Sequence, residues 1–352
     1  MLLQALSDAW GVSGNEQEVR DLIYREVKDL VDEVRVDTIG NLIAVKRARR
    51  ARPGDEPWPV LVAAHMDEVG FMVRQIDSSG MLKFAPVGGI DPRVVLAKPV
   101  LVGKNRLPGI IGVKPVHLQE ADERKRVIPF DQLTIDVGAS GKDELDGVVR
   151  VGDYAAFAFS FQELDTAPDG LRTVMGKALD DRAGCAVLIE LLKGDYPFDL
   201  HAAFTVQEEV GLRGARVAAH AINPKMAFVL EATVCDDLPK KKDVSRITRM
   251  GAGPAITISD RSVVAAKGLV RRLIATAEKE GIPYQLKSPM VGGTDAGAIH
   301  LAQSGIPSAV VSMPCRYLHS MATMLSLNDF DTVVQLMQAT LRDLTPDAAD
   351  AN

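Results

Sequence analysis

Five places in this 352-residue chain set carboxylates or an imidazole directly after an apolar run: His65-Met66-Asp67, Asp180-Asp181, Glu208-Glu209, Glu231 and His319. Imidazole nitrogens with carboxylate oxygens and no thiolate make a donor set suited to Zn²⁺ or Co²⁺, with Mn²⁺ as a third option. Several carboxylates gathered at one sheet edge repel one another unless cations lie between them, so the pattern calls for metal and for more than one ion. Singly, each signal is weak, because an imidazole after a strand more often makes a structural hydrogen bond and an acidic pair more often caps a helix. Five separate junctions carrying such residues are harder to assign to accident. Among the six histidines, only His65 and His319 hold these positions; His117, His201, His220 and His300 read as structural or surface residues.

The elements that position these groups follow from hydrophobic patterning. Gly11-Val12-Ser13-Gly14 reads as a turn, and Val19, Leu22, Ile23, Val27 and Leu30 recur at helical spacing behind a capping Asn15. Residues 34–37 and 42–45 read as a hairpin about Gly40-Asn41. Residues 60–64 form a continuous apolar run, the mark of a buried central strand, and such strands present their ligands at the carboxyl end. Over residues 70–161 the texture changes to short β-rich runs (71–76, 94–102, 110–113, 133–137 and 154–159) broken by Gly, Pro and Asp. Alternation of strand and helix then resumes, with helices expected at 182–192, 214–221, 262–280, near 296–303 and at 330–344, and strands at 202–207, 226–230, near 284–287 and at 308–312. The expected fold is α/β: a three-layer α/β/α domain from residues 1–69 and 162–352, with a small all-β, barrel-like domain of residues 70–161 inserted into it.

Composition removes other classes. Hydrophobic residues at 47% allow a large core, while 47 acidic against 41 basic residues give a net charge of −6 and no basic field for a phosphate backbone. Lys240-Lys241-Lys242 with Arg246 and Arg249 is too short a basic run to alter that expectation. Cys185, Cys235 and Cys315 are odd in number and scattered, which argues against a disulfide framework and for a reducing cytoplasm; Cys315 reads as a small buried hydrophobe. No apolar run spans a bilayer and the first residues lack a signal-peptide pattern, so neither membrane nor nucleic acid is an expected partner. No Gly-x-Ser-x-Gly elbow supplies a serine nucleophile.

The runs Ala64-His65-Met66-Asp67-Glu68-Val69-Gly70, Lys177-Ala178-Leu179-Asp180-Asp181-Arg182-Ala183-Gly184, Gln207-Glu208-Glu209-Val210-Gly211, Gly292-Gly293-Thr294-Asp295 and Pro314-Cys315-Arg316-Tyr317-Leu318-His319-Ser320 together resemble the tetrahedral (TET) aminopeptidases. These are dinuclear metallopeptidases that include glutamyl, leucyl, lysyl and deblocking enzymes, some once labelled endoglucanases. The resemblance runs from Gly11 to the last helix. It implies that Asp180 bridges two metals, that His65 and Glu231 complete one site and Glu209 and His319 the other, and that Glu208 is the general base. Spacing alone does not choose between the two glutamates. Asp67 is expected to orient the His65 imidazole. The resemblance also implies short-peptide substrates, and dimers formed through the inserted β domain that build a tetrahedral dodecamer.

Glu231, in Leu230-Glu231-Ala232-Thr233, stands where many relatives carry Asp, so Asp236 or Asp237 is an alternative ligand. The charge of Asp181 is expected to be dispensable. Thr294 and Asp295 are candidates for the substrate pocket or for helix capping, and Arg316 for pairing with an acidic substrate side chain or a structural carboxylate. Two competing functions remain at this level: a metal-dependent amidase or deacylase on a non-peptide amide, and a non-catalytic relative that keeps only the fold.

Overall fold

The computed structural model describes residues 1–49, 57–164, 170–238, 247–287 and 291–349; Lys240, Lys241, Lys242 and Arg246 of the basic run lie outside them. Helices α1 (Leu2–Asp8) and α2 (Gln17–Val27) precede an antiparallel hairpin of β1 (Glu33–Val36) and β2 (Leu42–Lys46), then β3 (Pro59–His65). From Val60 to His65 every residue of β3 is buried, as an apolar strand with neighbours on both sides requires. Six strands follow: β4 (Gly70–Ile76), β5 (Leu82–Val87), β6 (Pro99–Val102), β7 (Leu107–Gly112), β8 (Thr134–Asp136) and β9 (Tyr154–Phe157). They close an antiparallel barrel in the order β4-β5-β8-β7-β6-β9. Its core forms around Phe71, which meets Phe84 and Phe157 edge-on, each at 5.2 Å between ring centroids.

The chain returns through β10 (Gln162–Leu164), β11 (Thr173–Gly176), α3 (Leu179–Leu191), β12 (Asp199–Thr205), α4 (Arg213–Ile222) and β13 (Met226–Val234). It ends with β14 (Ala255–Thr257), α5 (Lys267–Glu280), β15 (Gln285–Lys287), α6 (Ala296–Ile299), β16 (Ser308–Arg316), β17 (Thr323–Ser326) and α7 (Leu327–Arg342). Eleven of the strands make one sheet whose main path is β1-β2-β12-β3-β13-β16-β17-β11-β10, with β14 and β15 attached beside β16. At its centre β12, β3, β13 and β16 run parallel, so their carboxyl ends share one edge. One face packs under α1, α2, α3, α5 and α7 through residues such as Leu188, Phe228 and Leu336. The other packs under α4 and α6 through Ala219, Val229 and Ile299. The result is the expected three-layer α/β/α fold carrying a small inserted β barrel. No helix among the described residues is long and apolar enough to cross a membrane.

Local chemistry explains where the elements differ from the sequence pattern. The helix expected from residue 262 starts at Lys267, because Asp260 accepts hydrogen bonds from the backbone nitrogens of Ser262 and Val263 and holds them in a turn. The strand expected from residue 94 starts at Pro99, since Asp91 caps a short 3₁₀ turn at Pro92–Val94. The helix near 296–303 is a single turn. Strands β5, β10, β11, β14 and β17 lack a readable alternation because they are short or interrupted by proline or glycine, and α1 was not anticipated.

A buried charge cluster joins these layers. Arg182, fully buried in α3, donates from Nε to the Met66 carbonyl (2.6 Å) and from Nη1 to the carbonyls of Leu6 (2.6 Å) and Ala9 (3.1 Å). Its Nη2 lies 3.5 Å from Glu68 Oε1, which also takes a 2.7 Å ion pair from Lys177. The end of α1, the turn after β3 and the start of α3 are thereby tied together. Replacing Arg182 with Leu removes the side-chain donor from the buried Met66 and Leu6 carbonyls, leaves Ala9's carbonyl to Lys177 alone, and leaves Glu68 with one cation fewer; the variant should lose about 3–5 kcal/mol of stability in urea unfolding, and a loss under 1 kcal/mol would contradict this role.

Candidate metal centre

His65 closes β3, Glu231 lies in β13, Glu208 and Glu209 follow β12, and His319 sits between β16 and β17. Asp180 occupies the first turn of α3, where its backbone departs from helical geometry (φ −85°, ψ 107°) and the Asp180–Asp181 peptide is cis. His65 Nε2 lies 3.2 Å from Asp180 Oδ1 and 3.4 Å from Glu231 Oε1. His319 Nε2 lies 3.4 Å from Asp180 Oδ2 and 3.3 Å from Glu209 Oε1. Each oxygen of Asp180 therefore faces a different imidazole. His65, Asp180 and Glu231 offer donor atoms within 4.8 Å of one another, and Asp180, Glu209 and His319 do the same.

The opposite side of each ring is held by backbone. Nδ1 of His65 lies 3.0 Å from the Asp67 carbonyl, and Nδ1 of His319 lies 2.7 Å from the Gly89 carbonyl, contributed by the connection after β5 of the barrel. A carbonyl only accepts, so Nδ1 carries the hydrogen in both rings and Nε2 of the neutral ring turns a lone pair toward the carboxylates. Lone pair against carboxylate is repulsive unless a proton or a cation lies between them. The two triads thus fit a pair of divalent ions by donor type, by spacing and by the direction of the free nitrogens.

Ionisation tells the same story. Burial opposes the charge of His65, but Glu231, Asp180 and Asp67 outweigh it and hold its pKa well above the ordinary histidine value. His319 is likewise pushed up to about 10 by Asp180 and Glu209 against the cost of burial. Burial and the surrounding carboxylates raise Glu209 to about 8, Glu231 to about 7 and Glu208 well above the usual carboxylate range. Asp180, despite its burial, is held far below that range by its two histidines. Asp181 is fully buried, has an unpartnered Oδ2, and is raised well above the carboxylate range by burial and then by Glu231.

The loop carrying Glu208 and Glu209 is pinned from below. Asp67 accepts from the Glu208 and Glu209 backbone nitrogens (2.9 and 3.1 Å) and from the Ser13 hydroxyl (2.6 Å). Asn41 accepts from the nitrogen of Val206 and donates to the carbonyl of Gly214. Only glycine fits at 214, since a Cβ there would lie 2.3 Å from Asn41 Oδ1. Asp67 thus faces His65 from 3.5 Å and also fixes the backbone of both glutamates, a second connection that sequence spacing does not reveal.

Both triads open onto a cavity of about 500 Å³ that Glu208, Thr233, Lys287, Gly293 and Thr294 also line. Asp295 is buried behind it, taking a 2.5 Å bond from Thr205 on one oxygen and nothing on the other; burial pushes it up to about 6. It starts α6 without a side-chain capping bond. The partner of Arg316 is the structural carboxylate Asp237, which accepts from its Nε and Nη2 at 2.8 Å each. Asp237 also accepts from the Met250 nitrogen, and neither it nor Asp236 belongs to either triad. Cys315 is fully buried, and burial raises its thiol well above the ordinary value. His117 is exposed on a 3₁₀ turn of the barrel.

Comparison with known proteins places this geometry. Residues 40–336 match the family model described as M42 glutamyl aminopeptidase. The chain belongs to that family. It is accordingly a metal-dependent aminopeptidase, a hydrolase of peptide bonds. This M42 aminopeptidase is 33% identical to the lysyl aminopeptidase of Pyrococcus furiosus over 98% of its own length and 97% of the relative's. It superposes on the TET aminopeptidase of Thaumarchaeota archaeon SCGC AB-539-E09 with a TM-score of 0.91 and 36% identity, covering 99% and 97% of the two chains. With the TET1 peptidase of Pyrococcus horikoshii, a protein that can assemble into a tetrahedron or a large octahedral shell, the TM-score is 0.83 and the identity 37%, over 97% and 98% of the chains.

Two outcomes follow for the M42 site. A divalent ion displaces protons from the groups it binds; with Glu231 at about 7 and Glu209 at about 8, the ion-free protein carries protons there at pH 6.5. Metal uptake at that pH should release protons from these glutamates and from the two raised imidazoles, and affinity should rise with pH until all four groups have given up their protons. Calorimetry in two buffers of different ionisation enthalpy measures the release, and a buffer-independent heat would contradict it. Asp67→Asn replaces an acceptor oxygen with a donor facing the Glu208 and Glu209 nitrogens or Ser13; activity should fall about 10–100-fold while circular dichroism stays native, and full activity would contradict the positioning role.

Proposed function

We propose that this aminopeptidase removes residues from the N-terminus of short peptides using two divalent ions, Zn²⁺ or Co²⁺ with Mn²⁺ as a third option. His65, Asp180 and Glu231 would hold one ion and Asp180, Glu209 and His319 the other, with Asp180 as the bridge. When bound, the ions supply a water of lowered pKa and draw charge from the scissile carbonyl. Glu208 accepts the proton that the water gives up as its oxygen attacks the carbonyl carbon, then returns it to the departing amine nitrogen. The observation that carries this reading is the placement of Glu208: it faces the same cavity as both triads, joins neither, and is fixed through its backbone nitrogen by Asp67. Burial and neighbouring carboxylates raise its pKa well above the ordinary value, which suits a group that must take up a proton and give it back.

The same reading assigns residues 1–69 and 162–352 to the catalytic domain and residues 70–161 to an inserted domain that serves dimerisation. Support comes from the barrel's separate core and from the assemblies of the Pyrococcus horikoshii relative; on that basis the dimers build a tetrahedral dodecamer. Its place of action is the cytoplasm, in keeping with three unpaired cysteines. Amide or acyl-amide substrates are the competing chemistry on such a centre.

A panel of unblocked and N-acetylated tri- and tetrapeptides, incubated with Zn²⁺- or Co²⁺-loaded protein and with a chelated control, tests the proposal. Free N-terminal amino acids should appear only from unblocked peptides and only with metal. In Glu208→Gln the turnover should fall about 10²–10⁴-fold while metal content remains that of the parent. Release from acetylated peptides instead, or an active Glu208→Gln, would overturn it.

A further inference from the structure

Strand β13 outruns one of its two neighbours. It pairs with β16 from Ala227 to Val234 but with β3 only from Met226 to Val229, so among the described residues its last stretch has no strand on the β3 side. The residues of that stretch, Glu231, Ala232, Thr233 and Val234, all line the cavity that opens onto the two triads. Main-chain groups alternate sides along a strand, and the Cys235 nitrogen donates to the Cys315 carbonyl at 2.7 Å. Glu231 and Thr233 therefore turn their main-chain groups toward β16, while Ala232 and Val234 turn theirs to the open side. Two groups there are engaged: the Ala232 nitrogen donates to Glu231 Oε1 (3.2 Å), and the Val234 carbonyl accepts from the Thr248 hydroxyl (2.7 Å). The Ala232 carbonyl and the Val234 nitrogen have no hydrogen-bond partner among the described residues. Unpaired groups at a strand edge are a template for another extended chain. A third polar group on the cavity is also without a partner: Thr233 shares the strand face of Glu231, about 7 Å further along, and its Oγ1 is buried and unbonded in a residue 2% exposed.

We propose that this edge seats the main chain of the substrate on the leaving side of the scissile bond, as one residue of an added parallel strand: the nitrogen after the scissile carbonyl donates to the Ala232 carbonyl, and the carbonyl of that same residue accepts from the Val234 nitrogen. This rests on the aminopeptidase reading above and names how that site holds its peptide. A carbonyl and a nitrogen two residues apart on one side of a strand are the pair of groups that a single residue of a parallel neighbour engages. The direction follows from the triads. Glu231 belongs to one of them and Ala232 to Val234 lead away from it, while an aminopeptidase substrate has its first residue at the centre and the rest of its chain beyond, so the two chains run the same way. Main-chain pairing is blind to side chains; the edge therefore serves peptides of varied sequence and gives nothing to a leaving group that lacks a main-chain carbonyl.

The test compares metal-loaded parent protein with Val234→Pro and Val234→Ala on two substrates that begin with the residue the parent releases fastest: a tripeptide ending in Gly-Gly, and the p-nitroanilide, which has no main-chain carbonyl after the scissile nitrogen. Val234 ends β13 with its side chain 46% exposed, so proline there removes the hydrogen on nitrogen without emptying the core. In Val234→Pro, kcat/KM for the tripeptide should fall about tenfold, chiefly through KM, while the p-nitroanilide stays within about twofold of the parent. Val234→Ala keeps the N–H and should match the parent on both. A tripeptide with sulfur in place of the oxygen of that carbonyl, a weaker acceptor, should be a poorer substrate for the parent, and Val234→Pro should no longer distinguish it from the oxygen form. An equal loss on tripeptide and p-nitroanilide in Val234→Pro, or no loss on either, overturns the assignment of this edge alone. Should Val234→Pro fail to fold, equal cleavage of the oxygen and sulfur tripeptides by the parent overturns it, and slower cleavage of the sulfur form upholds it. No hydrolysis of any unblocked substrate by metal-loaded parent overturns the aminopeptidase reading and this assignment together.

Discussion

Asp180, Glu208 and Glu209, each half-buried, and the buried Glu231 crowd around one cavity, and their mutual repulsion is the constraint on which the rest of the site depends. Left to themselves these carboxylates would take up protons, as the raised values of Glu209 and Glu231 indicate. Two imidazoles approach them with the free nitrogen, each locked in that orientation by a backbone carbonyl on the other side. In the ion-free protein the carboxylates hold both rings protonated and share their charge, and the same spacing is well matched to divalent positive charge placed between the donors. Metal chemistry therefore follows from how the fold distributes charge, before any relative is consulted.

The architecture is organised to hold that crowding in place. Four parallel strands bring their carboxyl ends to one edge, which puts His65 and the Glu208-Glu209 turn side by side and Glu231 one strand away. Asp67 links the imidazole to the glutamate backbone, while Arg182 and Lys177 neutralise Glu68 beneath the same turn. The barrel takes part as well, because the Gly89 carbonyl that orients His319 comes from its β5 connection. An inserted domain is thus structurally coupled to the metal centre.

Much of this was legible in the amino-acid sequence, for a definite reason. Central parallel strands are continuous apolar runs, so the polar residues that terminate them stand out, and His65, Glu208, Glu209 and Glu231 could be found that way. The division of ligands between two ions was not readable from spacing; it came from the resemblance of five motifs to one family. What escaped the sequence depends on contacts between distant segments. Lys287 looks like any surface lysine until the fold buries it in the cavity, and Gly89 has no side chain to announce its role. Arg316 offered two partners on paper, and only the folded chain brings Asp237, 79 residues away in sequence, against its guanidinium. The start of α5 was misplaced because one aspartate, Asp260, competes for the backbone nitrogens that a helix would otherwise begin with.

The central claim is that this chain holds two divalent ions in two triads that share Asp180. Crystals of the zinc-loaded protein, measured at the zinc absorption edge, test it most directly. The account predicts two anomalous peaks per chain, one touching His65, Asp180 and Glu231 and the other Asp180, Glu209 and His319. A single peak, or a peak that takes Asp236 or Asp237 in place of Glu231, would contradict it.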